Sequence, residues 1–102
     1  MAGHVVHRNA EAHRFEAAFG EKIAKIDYAQ SNGRLNLLHT EVPKELRGRG
    51  IGSELAGSAL EYARAEELKV IPTCPFVSSY IKRHPEYLDI VVPEYRQKIQ
   101  QG

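Results

Sequence analysis

Hydrophobic and polar residues alternate through the first half of the chain and recur every three to four positions in the second. Ala24, Ile26 and Tyr28 alternate with Lys25 and Asp27, the period of a half-buried strand. Ser31-Asn32-Gly33-Arg34 follows, and Asn-Gly between two alternating runs predicts a type I′ hairpin. The returning strand is predicted from Arg34 to Val42. Strict alternation places Leu35, Leu37, His39 and Glu41 on one face, and Asn36, Leu38, Thr40 and Val42 on the other. Pro43 removes a ladder donor and stops the strand. Upstream, Val5-Val6-His7 and His13 to Ala17, around Phe15, read as two shorter strands.

Past Pro43 the period changes. Ile51, Leu55, Ala59 and Ala63 recur every four residues, widened by Ala56, Leu60 and Tyr62. Glu54, Ser58, Glu61 and Glu67 take the opposite side, so an amphipathic helix is predicted over Ile51 to Glu67. Leu68 to Ile71 is a brief β-type run ended by Pro72. Pro75 suits the first turn of a second helix, where its missing N–H has no intrahelical partner to lose. That helix carries Phe76, Val77, Tyr80 and Ile81 and stops before Pro85. Val91-Val92-Pro93 and a polar helix or tail complete the chain. The order is an antiparallel β meander, then strand, helix, strand, helix: an α+β (mixed α/β) fold. The strands flanking the long helix are expected to be parallel neighbours in a right-handed crossover.

Composition narrows the function. The 102 residues, 42% hydrophobic and 26% charged, suit one domain over 1–102, with no linker or repeat. Fourteen Lys and Arg against thirteen Asp and Glu leave a net charge of +1, with no bulk attraction to nucleic acid or anionic membrane. No apolar run approaches the ~20 residues that span a bilayer. Met1 to Glu16 has no apolar core of a signal peptide. Cys74 is alone, which excludes an internal disulfide or multi-cysteine zinc site and favours the cytoplasm. His4, His7 and His13 lack metal-ligand spacing and read as surface or strand residues, so no metal site is expected.

The segment richest in chemistry is Val42-Pro43-Lys44-Glu45-Leu46-Arg47-Gly48-Arg49-Gly50-Ile51-Gly52-Ser53. Alternate glycines let the backbone turn tightly and approach a ligand. They lead into a helix whose first N–H groups lack intrahelical acceptors. Arg47 and Arg49 add positive charge to that helix start, so a phosphate or pyrophosphate is the expected ligand. The spacing is neither Gly-x-Gly-x-x-Gly nor Gly-Lys-Ser/Thr, which excludes the dinucleotide fingerprint and the P-loop. Lys44 belongs to the rim.

Arg47-x-x-Gly50-x-Gly52, between a hairpin strand and an amphipathic helix, resembles the acetyl-CoA pyrophosphate loop of the GNAT superfamily of N-acyltransferases. The resemblance continues through His39-Thr40-Glu41-Val42-Pro43, Cys74-Pro75-Phe76-Val77 and Tyr80-Ile81-x-Arg83-His84-Pro85. Over Arg34 to Tyr87 the chain is similar to a small GNAT-like subfamily, sometimes called YjdJ-type, of about one hundred residues. It lacks the helices that full-length members place between their first two strands, and with them part of an acceptor wall.

The resemblance implies a minimal GNAT fold with a bulged strand splaying from its parallel neighbour. It implies acetyl-CoA as co-substrate, its pantetheine arm pairing as an added strand near Glu41 and Val42. Its pyrophosphate would lie on Arg47, Gly48, Arg49, Gly50, Ile51, Gly52 and Ser53. Arg83 and His84 are candidates for the 3′-phosphate or adenine end, or a solvated helix end. Backbone donors near Val42 would face the thioester oxygen. His39 and Glu41 fall where such enzymes place a general base, and an imidazole titrates near neutrality. Cys74 would line the gap between splayed strands near a helix start that favours thiolate. Tyr80 stands as the acid for the leaving CoA thiolate or as a packed aromatic. The implied activity is acetyl transfer to a primary amine of a protein, peptide or small molecule, either directly or through acetyl-Cys74. The alternatives are a CoA- or acyl-CoA-binding module without turnover and, against the charge balance, a nucleic-acid binder.

Overall fold

Asn32 and Gly33 sit at φ 53° and 75°, the pair of positive angles a type I′ turn requires. The turn joins two long strands of a five-stranded sheet seen in a computed structural model that describes residues 5–101. The strands are β1 (His7–Asn9), β2 (Arg14–Phe19), β3 (Lys22–Ser31), β4 (Arg34–Glu41) and β5 (Lys69–Ile71), in sheet order β1-β2-β3-β4-β5. The first four are antiparallel neighbours. β4 and β5 are parallel, as the crossover through the long helix demands. The mixed α+β order and the splayed strand pair are therefore those expected.

Boundaries shift for local reasons. β1 begins at His7, not Val5, because its register sets His7 opposite Glu16 and leaves Val5 86% exposed. β2 starts at Arg14, since His13 occupies a left-handed turn position at φ 57°. β5 spans Lys69–Ile71, one residue less than the run expected from Leu68 to Ile71. His4 lies outside the described residues.

The helices are α1 (Ile51–Ala65), α2 (Pro75–Arg83) and α3 (Pro93–Gln101), with short 3-10 turns at Lys44–Leu46 and Pro85–Ile90. α1 sets Ile51, Leu55, Ala56, Ala59, Leu60 and Ala63 against the sheet, all buried. Full burial of a Leu such as Leu55 contributes about 1.5–3 kcal/mol. The helix ends at Ala65, short of the expected Glu67. Glu67 takes φ 58°, and its N–H donates to the Arg64 carbonyl while Leu68 N–H donates to that of Ala63. That is a Schellman termination with glutamate where glycine is usual, so the sequence lacks the ordinary stop signal. Arg64 then forks onto Asp89 at 2.9 and 3.0 Å, fastening the end of α1 to the Pro85–Ile90 turn.

The sheet's core face carries Phe15, Ala17, Ala24, Ile26, Tyr28, Leu35, Leu37 and Val70, all buried. β4 does not keep this face along its length. Leu37 pairs with Tyr28 and His39 with Asp27, so Leu38 is an extra residue, a β-bulge. Beyond it the alternation is inverted. Thr40 stands opposite the fully buried Ile26, whereas His39 and Glu41 stand opposite Asp27 and Lys25. His39 and Glu41 share a face with each other, as expected, but not with Leu35 and Leu37. Their face is charged: Arg14 pairs with Glu16, and Lys25 lies 3.0 Å from Asp27 and 3.7 Å from Glu41.

Candidate active site

Three features converge at the C-terminal end of β4. The first is an open strand edge. β4 pairs with β5 only over Arg34–Asn36, and one further bond runs from Cys74 N–H to the Leu37 carbonyl at 2.9 Å. From Leu38 to Glu41, β4 is laddered to β3 alone among the described residues. Its other edge is available for an extended ligand, the requirement for β-augmentation.

The second feature is the glycine loop. Gly48 and Gly50 have φ of 84° and 76°, a region that side chains with a Cβ enter at a cost. A Cβ at either would touch nothing within 4 Å, so backbone angle rather than crowding requires glycine there. Gly52 differs: a Cβ would fall 2.8 Å from the Phe76 ring. Gly50 caps α1, and the first intrahelical bond is Glu54 N–H to Gly50 C=O. The N–H groups of Gly52 and Ser53 therefore lack helical acceptors, leaving a positive helix end. Val42, Leu46, Gly50, Ser53 and Phe76 line a shallow cavity of about 200 Å³ at this point. Arg49 is exposed. Arg47 turns back, its Nε donating to the Val42 carbonyl at 3.3 Å, so it pins the loop to the end of β4. That carbonyl, one of the groups expected to meet the pantetheine arm, already has this partner.

The third feature is Cys74, the residue before α2. It is 4% exposed, and its Sγ lies 3.2 Å from Thr40 Oγ1. The bulge sends the imidazole of His39, a candidate base, to the opposite face. Thr40 is the residue that alternation missed. A signal was present in the Leu37-Leu38 doublet, which breaks the period.

Tyr80 is 9% exposed and its hydroxyl rests beside Gly57 of α1. Burial pushes its phenol above the ordinary value, and the Glu86 carboxylate adds to the shift. His84 stacks on Tyr80 with centroids 4.2 Å apart. Both line a groove of about 570 Å³ between α1 and α2 that begins at Ser53, beside the glycine loop. Tyr87, in the same groove, donates to Glu61 at 2.5 Å; that bond first, then burial, pushes its phenol to about 12. Arg83 is exposed in the last turn of α2. Loop, open edge, Cys74 and the Tyr80–His84 stack thus follow one another around the start of α1.

A glycine-rich helix start beside a splayed parallel strand pair defines the class of the protein as a GCN5-related, acyltransferase-like fold. Residues 14–90 match the GCN5-related N-acetyl-transferase family, and the chain belongs to that family. It is 39% identical over 66 residues to Protein NATD1 of Mus musculus, covering 65% of this chain and 54% of that protein. Against Protein NATD1 of Gallus gallus it is 43% identical over 61 residues, 58% of this chain and 56% of that one. The chain spans about half the length of the curated relatives it matches. The solution structure of a GCN5-like candidate N-acetyltransferase from Staphylococcus aureus superposes with a TM-score of 0.69 at 28% identity. That match covers 90% of this chain and 91% of the other. Among the described residues no helix is long and apolar enough to cross a membrane, and no cluster of His, Cys, Asp or Glu is placed to hold a metal.

Proposed function

We propose that the protein is an acetyl-CoA-dependent N-acetyltransferase acting on a primary amine, folded as one cytoplasmic domain over 1–102. The observation that carries this reading is the continuity of the glycine loop with the open edge of β4. The pyrophosphate lies on the N–H groups at the start of α1, with Arg49 supplying charge and Arg47 holding the loop. The pantetheine arm runs past Phe76 along Leu38–Glu41 and brings the thioester to Thr40 and Cys74. His84 takes the adenosine end in the groove that begins at Ser53, and Arg83 serves it from the exposed last turn of α2.

In direct transfer the neutral amine attacks the thioester carbonyl, and the C–S bond breaks as the oxyanion collapses. The amine proton passes to a base, and the CoA thiolate takes a proton from solvent, since Tyr80 lies with His84 in the groove given to the adenosine end. His39 and Glu41 can act as base only from the outer face, through water. In the covalent route the Cys74 thiolate takes the acetyl group first and passes it to the amine, exchanging one thioester for another.

Calorimetry with acetyl-CoA, CoA and ATP tests the binding step. Gly50→Val, which forces a β-branched residue to positive φ, is expected to weaken acetyl-CoA binding more than tenfold, about 1.4 kcal/mol. Unchanged affinity in the folded variant removes the site. An acceptor screen following CoA thiol release then separates transferase from binding module: affinity without release supports the module. Mass spectrometry after incubation without acceptor distinguishes the routes. An acetyl adduct on Cys74, together with loss of turnover in Cys74→Ser, is expected of the covalent route. Full turnover without adduct assigns Cys74 to the pocket wall.

A further inference from the structure

Two grooves run along α2, one on each side, and they differ in charge. The groove toward α1 contains Glu54 and Glu61. The groove toward α3, about 410 Å³, is lined by Lys82 of α2 and Lys98 of α3 and by no acidic residue. Neither lysine has an ion-pair partner among the described residues, where the salt bridges formed involve other side chains. Lys98 instead lies 4.9 Å from the centroid of the Tyr95 ring, on the same wall. Pro72, Pro75 and Ile99 give the groove an apolar floor. Thr73 and Pro75, which flank Cys74 in the chain, also line it. Thr73 donates to Asn36 Oδ1 at 2.6 Å, so this part of the groove is tied to β4 at the point where β4 parts from β5.

We propose that the groove between α2 and α3 docks the acceptor, and that it selects an acidic peptide segment carrying the amine. The proposal rests on the transferase reading above and adds the substrate class. Two unpaired ammonium groups project from two helices onto one channel, so a single carboxylate cannot neutralise both. Spaced carboxylates on an extended chain can, while apolar side chains cover the proline and isoleucine floor. The channel reaches Thr73 and Pro75, the chain neighbours of Cys74, and the acceptor amine is assigned to that part of it. The wall from α3 lies beyond residues 14–90 that match the family, so this selectivity belongs to the chain's own C-terminal helix.

The test uses the full chain and synthetic peptides with one acceptor lysine flanked by glutamate, by alanine or by lysine. Binding is read by fluorescence anisotropy at low salt without acetyl-CoA, and turnover by CoA thiol release with it. The glutamate peptide is expected to bind roughly tenfold more tightly than the alanine peptide, the size of two exposed ion pairs. That preference should shrink with added salt. The double variant Lys82→Glu with Lys98→Glu, both exposed and so compatible with folding, should lose the preference while its acetyl-CoA affinity stays unchanged. Equal binding of the three peptides, or a preference untouched by the charge reversal, overturns the proposal. Displacement of the peptide by free glutamate as effectively as by peptide also overturns it, in favour of a small carboxylate. Anisotropy and thiol release report separately, so peptide selectivity without release leaves the groove standing and removes the transferase. Release that ignores peptide charge does the reverse.

Discussion

Arg34–Leu37 and Leu38–Glu41 are the two halves of one strand, and they differ in what borders them. The first half has a strand on each side, β3 and β5, and two fully buried leucines on its core face. The second half has β3 on one side and an open edge on the other. A single extra residue, Leu38, separates them. It exchanges the faces, so that Thr40 rather than His39 turns toward Cys74. The first half supplies packing that holds the sheet against α1, and the second supplies unpaired backbone and polar side chains beside a thiol. A bulge lets one strand carry both, because it re-aims side chains without ending the ladder to β3.

The comparison is broken most severely by truncating the first half. Leu37→Ala removes a side chain with no solvent exposure and is expected to cost about 2–5 kcal/mol in urea denaturation. A loss below ~1 kcal/mol would mean that this half is not the anchor. In the second half stability should hardly move and reactivity should. Thr40→Val keeps the shape but deletes the hydroxyl 3.2 Å from Cys74 Sγ. Without it the buried sulfur loses its polar partner, so alkylation of Cys74 by iodoacetamide is expected to slow several-fold, with a stability change of about 1 kcal/mol or less. His39→Ala is the smallest perturbation. Its exposed side chain should change stability by no more than about 0.5 kcal/mol and leave the alkylation rate as it was. If His39→Ala slows Cys74 as Thr40→Val does, the faces are not exchanged at Leu38.

The features legible in the sequence are those set within a few residues. Asn32-Gly33 adopts its turn because both residues accept positive φ. Ile51, Leu55 and Ala59 make a helix because a period near four leaves one apolar stripe. Gly48 and Gly50 mark the loop because their backbone angles exclude most other residues. Pro75 opens α2 where a first turn tolerates it. The end of α1 was less legible, because Glu67 takes the left-handed position that glycine would have announced.

Tertiary structure decided the rest, and the reason is distance along the chain. Whether β4 alternates through Leu38 depends on its register with β3, where Tyr28 and Asp27 pair with residues two apart. The opening of its edge depends on how soon β5 turns away, and β5 lies beyond the whole of α1. Thr40 and Cys74 meet across 34 positions of sequence, and Gly52 meets Phe76 across two helices. The lysines of the outer groove share a channel because α3 packs beside α2. No local periodicity encodes such meetings. They follow from burying one face of the sheet under α1, which fixes where every other surface must go.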